Sequence, residues 1–171
     1  MRNTVRENNA EHSLMVSFIA HCLAVIENKM FGGHYDACRI GMIGAYHEAS
    51  EVITGDMPTP IKYFSVEMRD AYKSVESVAR DRILSTLPDI LKDEYESIIN
   101  ATAEEYKLVK YADKLTAYIK CIEETATGNS EFGKARRTIE KELKGYKSKS
   151  VDFFMDTFVS SFALTLDDLS Q

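Results

Sequence analysis

The chain is predicted to be all-α, a single-domain bundle of about six to eight helices. Three observations carry this. Apolar residues recur three and four positions apart along almost all of its 171 residues, the spacing that gives a helix one apolar face. Alternating apolar and polar runs, the mark of strands, are nearly absent. Capping and breaking residues cut the sequence into helix-length pieces.

Taken in order, a first helix over about residues 10–27 has Asn8 or Asn9 as cap, and Gly32-Gly33 closes the loop after it. Asp36 caps a second helix, which Gly55 and Pro58 terminate. Thr59-Pro60 then leads to a long helix over about residues 65–86, and Pro88 opens a shorter one ending near Ile99. Thr102 and Glu105 have the spacing of a capping box and start a helix that runs to Thr127, where Gly128-Asn129 stops it. Two further helices are expected around residues 131–147 and 150–159. The tail from Ser160 carries Phe162 and leucines that suggest packing.

At 19.4 kDa the chain is one domain, residues 1–171, long enough to bury a full core. A net charge of −6 and a pI near 5.3 argue against a nucleic-acid polymer as partner, because that role calls for a basic patch. The run Lys134-Ala135-Arg136-Arg137 and the lysines from Lys141 to Lys149 are interspersed with Glu140 and Glu142 and read as a solvated helix face. Cys22, Cys38 and Cys121 are widely spaced, which indicates neither a disulfide framework nor a zinc knuckle and fits a reducing cytoplasm. Polar residues interrupt the apolar runs well before about 18 positions, and the N-terminus lacks the apolar core of a signal peptide, so no membrane association is expected.

The most informative stretch is Tyr46-His47-Glu48-Ala49-Ser50-Glu51-Val52. Wound as a helix, it puts His47 and Glu51 within roughly 40° of each other, in line with Ile40 and Ile43. Ionisable groups on a buried line are costly unless compensated, which leaves two readings: a metal or catalytic site, or a hydrogen-bonded core histidine with Glu51 at the rim. On the first helix His12 shares the line of Val16, Ile19 and Leu23, whereas His21 points away. His34 lies in the Gly-Gly-His-Tyr loop and reads as exposed.

On the helix starting near residue 103 the apolar stripe is Leu108, Ala112, Leu115, Ile119 and Ile122. Asp113 sits at its edge, placed either to reach inward or to pair with Lys110 or Lys114 at the surface. Together His12, His47, Glu48 and Asp113 offer two imidazoles and two carboxylates. That mixed set suits a divalent manganese, cobalt, nickel, iron or zinc ion with positions left for water, and the lack of cysteine speaks against structural zinc. An ion that acidifies a bound water and neutralises a phosphoryl oxygen points to hydrolysis.

A histidine, a later histidine followed by an acid, and a distant aspartate resemble the metal signature of HD-domain phosphohydrolases. The segments Glu11-His12-Ser13-Leu14, Tyr46 to Val52, Thr54-Gly55-Asp56-Met57-Pro58-Thr59-Pro60-Ile61-Lys62-Tyr63-Phe64 and Lys110-Tyr111-Ala112-Asp113 are similar to the YfbR-type 5′-deoxynucleotidases. The similarity continues through Cys121-Ile122-Glu123-Glu124 and Asp152-Phe153-Phe154-Met155. The resemblance implies an HD-domain helical bundle that hydrolyses deoxyribonucleoside 5′-monophosphates to deoxynucleoside and phosphate, and that assembles as a homodimer. It implies His12, His47, Glu48 and Asp113 as metal ligands and Glu51 as the catalytic glutamate that orients the attacking water or protonates the leaving 5′ oxygen. It also implies Asp56 as a nucleotide contact, with Pro58 and Thr59 beside it as a wall that disfavours a ribose 2′-hydroxyl.

Two features depart from the family pattern. Glu48 stands where the family has aspartate, and its extra methylene displaces the carboxylate. Family members also carry an N-terminal helix with an Arg-Trp pair that orients the phosphate, and Arg2 and Arg6 are not in that register. Two alternatives follow: an HD-type deoxynucleoside triphosphate triphosphohydrolase, and a catalytically degenerate module that binds nucleotide.

Overall fold

A computed structural model describes residues 3–4, 6–62, 64–165 and 167–168; the side chains of Thr59 and Pro60, and Arg2, Tyr63 and the last three residues, lie outside what is described. The described residues contain helices and turns and no strand, as the spacing of apolar residues predicts. The chain divides into two compact units, Met1–Ala45 with Ala103–Gln171, and Tyr46–Thr102.

In the first unit α1 (Asn9–Met30) packs on α7 (Ala103–Ala126), which also receives α8 (Phe132–Gly145); α9 (Lys149–Thr157) packs on α1 and is followed by a 3-10 turn, Val159–Ala163. α1 begins where it does because the Asn8 side chain accepts the Ala10 and Glu11 N–H groups while Glu11 accepts the Asn8 N–H, a reciprocal capping box. Its buried line of Val16, Ile19 and Leu23 and the α7 stripe of Leu108, Ala112, Leu115, Ile119 and Ile122 form the core as expected. By length and composition alone α1 could cross a membrane, which the reading of interrupted apolar runs missed; with Val16, Ala20, Leu23 and Ala24 fully buried, it is the core helix of this unit.

The loop after α1 is fixed by Asn28, whose side-chain amide donates to the Tyr35 carbonyl and accepts the Tyr35 N–H. Asp36 then caps α2 (Ala37–Tyr46) through the Arg39 N–H, as expected. Gly44 lets α2 approach α1 closely: a Cβ there would lie 3.0 Å from the Ser17 Cα. Of the tail from Ser160, Phe162 is half-buried, whereas Leu164 is exposed.

The second unit is built on α5 (Val66–Ser85), capped by Ser65, with α6 (Asp89–Ile99), the short α3 (Glu51–Thr54) and the short α4 (Thr59–Lys62) packed against it. One expectation fails here. The second helix does not continue to Gly55: α2 stops at Tyr46, and the Ala49, Glu51 and Val52 N–H groups bond to the carbonyls three residues back. This tight i to i+3 winding turns about 120° per residue, so a 100° projection carried across residues 47–50 loses register.

Candidate metal centre

In the first unit α1 and α7 bring His12 and Asp113 together. His12 Nε2 lies 3.2 Å from Asp113 Oδ1, with the His12 side chain 19% and the Asp113 side chain 45% exposed. Asp113 therefore takes the inward alternative. The surface partners named for that case are engaged elsewhere, Lys114 with Glu142 at 3.2 Å and Lys110 over the Tyr106 ring. His21 and His34 are exposed, as expected.

Behind His12 is a residue that the sequence reading missed. Glu7 Oε1 lies 3.8 Å from His12 Nδ1, the nitrogen opposite the one facing Asp113. Lys120 lies between Glu7, at 3.7 Å, and Glu124, at 3.8 Å. Glu124 is 2% exposed and holds the segment before α1 by accepting the Thr4 N–H on both carboxylate oxygens, at 3.0 and 2.9 Å, and the Asn129 amide at 2.8 Å. A usable signal existed for Glu124, which stands three residues after Cys121 on the buried side of α7. None existed for Glu7, which precedes the helix.

Imidazole nitrogen and carboxylate oxygen facing one another across 3.2 Å are a donor pair suited to a borderline divalent cation. Glu7 faces Nδ1 from the side of the ring opposite Asp113. This is the usual arrangement behind a metal-bound histidine.

In the second unit His47 and Glu48 occupy the tight turn after Tyr46. The His47 side chain is 7% exposed and its Nε2 lies 3.8 Å from Glu48 Oε1, so the longer acid bends back to its neighbour's ring nitrogen. Glu51 opens α3 and is half-buried; Asp56 and Pro58 are exposed. Gly55 turns the chain with φ of 69°, and the Pro58 carbonyl accepts the Ile61 and Lys62 N–H groups to start α4. Thr59 supplies the first residue of α4.

This loop is fastened to α5 at both ends. The Tyr72 hydroxyl donates to the Gly55 carbonyl at 3.2 Å, Lys62 pairs with Glu76 at 2.8 Å, and the Lys62 ammonium sits 4.6 Å from the centre of the Tyr72 ring. Tyr72 and Glu76, missed in the sequence, share a face of α5 at i and i+4.

A family model described as 5′-deoxynucleotidase YfbR-like matches residues 1–162. Proteins named 5′-deoxynucleotidase YfbR from Salmonella paratyphi B and Salmonella newport are each 47% identical over 174 residues, covering 100% of this chain and 87% of theirs. A crystal structure of an HD-domain phosphohydrolase from Listeria innocua shares the fold with a TM-score of 0.80, covering 99% of this chain and 83% of that one at 22% identity.

Proposed function

The chain belongs to the YfbR-like family of 5′-deoxynucleotidases, and from that membership we propose that it hydrolyses deoxyribonucleoside 5′-monophosphates to deoxynucleoside and phosphate with a divalent metal ion. The observation that carries this reading is the 47% identity along the whole chain, and the approach of His12 to Asp113 supports it. Residues 1–171 act as one HD-type domain.

We assign the metal to His12, His47, Glu48 and Asp113, a nitrogen and oxygen set for cobalt, manganese, zinc, nickel or iron. Bound there, the ion would polarise a phosphoryl oxygen and acidify water. Glu51 orients the water whose oxygen forms the new bond to phosphorus, or protonates the 5′ oxygen as its bond to phosphorus breaks. Asp56 contacts the nucleotide, and Pro58 and Thr59 form the wall that disfavours a 2′-hydroxyl. Fastening of their loop to α5 through Tyr72 and Lys62 suits such a role, because specificity needs a held loop.

The working form is a homodimer in the cytoplasm. Leu14 and Phe18, one turn apart on α1 and 54% and 63% exposed, leave apolar surface of the kind a second copy covers. The free thiols Cys22, Cys38 and Cys121 suit a reducing compartment.

Glu48 in place of aspartate favours one further reading, a degenerate module that binds nucleotide without turning it over. One assay separates the possibilities: metal-free protein is given dAMP, AMP and dATP, with and without cobalt or manganese. Phosphate from dAMP, little from AMP, and dependence on added metal are expected. Tripolyphosphate from dATP would make the protein a triphosphohydrolase, and inactivity towards all three would support the degenerate module.

A further inference from the structure

The first unit contains a pocket of about 390 Å³ on the side of α1 where Glu27 and Phe31 stand, and Tyr35, Lys107, Lys147 and Lys149 also line it. Its size falls in the range of small-molecule sites. Glu27 stands fifteen residues beyond His12 on the same helix, about 22 Å at the helical rise, and neither His12 nor Asp113 lines the pocket, whose approach to the proposed metal centre is at Tyr111, two residues before Asp113.

Three lysines face this one hollow in a protein whose net charge is −6. None of the three makes an ion pair among the described residues; the Lys149 ammonium lies 5.7 Å from the Phe31 ring centre and that of Lys107 lies 5.8 Å from the Tyr111 ring centre. Glu27 is the carboxylate among the lining residues, and three ammonium groups outweigh it. Lys147 adopts φ of 51° immediately before the Ser148 cap, which directs the chain into α9 with the positive end of that helix beside the lysines. Tyr35 is preset by its paired bonds to Asn28 and by its hydroxyl at 3.4 Å from Glu104. Lysines at 147 and 149 read as a solvated face in the sequence; folding adds Lys107 and a concave floor.

We propose that this pocket binds a phosphoryl-bearing polyanion, with Lys107, Lys147 and Lys149 as its charge partners. Inorganic pyrophosphate and the phosphate chain of a nucleotide present the same chemistry, and ring contact with Phe31 or Tyr35 would distinguish them.

The test is hydrogen exchange read by mass spectrometry on the metal-loaded protein, with pyrophosphate and with ATP as probes, beside the variant Lys107→Ala/Lys149→Ala. Protection is expected in peptides covering residues 27–35, 107–111 and 147–152, with affinity at least tenfold weaker in the variant and weaker at higher salt. Equal affinities for the two probes mean that phosphate alone is read, and tighter ATP means that a ring contributes. Protection confined to residues 4–13 and 113, unchanged affinity in the variant, or no binding of either probe overturns the proposal. No outcome depends on turnover, so failure here leaves the hydrolase reading standing.

Discussion

Glu48 is the residue at which small chemistry decides most. An aspartate carboxylate is one methylene closer to the backbone, and preorganised sites tolerate displacements of only about 0.5 Å. Here the longer side chain folds back to 3.8 Å from His47 Nε2. Glu48→Asp is therefore expected to raise metal affinity and turnover of dAMP together, read by metal titration and phosphate release; equal affinity in both forms would show that the site has adjusted to glutamate. Glu7 offers a second test. Its carboxylate lies beside His12 Nδ1, so Glu7→Gln should weaken metal binding about 10-fold, the low end of the range for groups that orient metal ligands, without unfolding the protein. The sequence exposed His12 and Asp113 because both fall on or beside an apolar stripe. It hid Glu7, whose position depends on Thr4 being held by Glu124 across 120 residues of chain, a contact that no local spacing encodes.

Among the elements, α2 shows both what periodicity reveals and where it stops. Ile40 and Ile43 are buried as the 100° projection requires, yet the projection ends at Tyr46, where bonding changes from i to i+4 to i to i+3. The two glycines buried in α2 make the packing testable. A methyl at position 44 would lie 3.0 Å from the Ser17 Cα and 3.2 Å from its backbone nitrogen, whereas at position 41 the nearest atom, the His21 Cβ, is at 3.4 Å. Backbone cannot step aside as a side chain does. Gly44→Ala should thus cost about 1–3 kcal/mol through overpacking, and Gly41→Ala should be near neutral, because alanine gains up to about 1 kcal/mol of helix propensity; denaturant melts of the two variants check the difference. The loop carrying Asp56, Pro58 and Thr59 belongs to this scale too. Tyr72→Phe removes the hydrogen bond to the Gly55 carbonyl and keeps the ring under Lys62, so KM for dAMP should rise with little change in kcat, while unfolding temperature stays close to that of the parent.

For the whole molecule, the two units differ in how much apolar surface they bury. Val16, Leu23, Val109, Leu115, Ile119, Leu143 and Val151 are at most 2% exposed in the first unit, whereas Tyr72, Ala79 and Leu84 are the buried apolar residues of the second among those described. Stability follows buried apolar surface, so α5 and α6 should open more readily than α1 and α7. Hydrogen exchange should show faster exchange in residues 66–99 than in residues 16–24 and 108–122. The metal then supplies a sharper test. An ion binding the folded state at a hundred times its Kd contributes about 2.7 kcal/mol, and only segments that supply ligands can be held by it directly. With His12, Asp113, His47 and Glu48 as the ligands, adding cobalt or manganese to the metal-free protein should slow exchange near residues 8–14 and 111–115 and equally in residues 46–56. Slowing restricted to the segments around His12 and Asp113 would remove His47 and Glu48 from the ligand set, and with them the role assigned to Glu51. His47→Ala should abolish the slowing in both places if the set is right, because the three ligands left bind far more weakly an ion that four share.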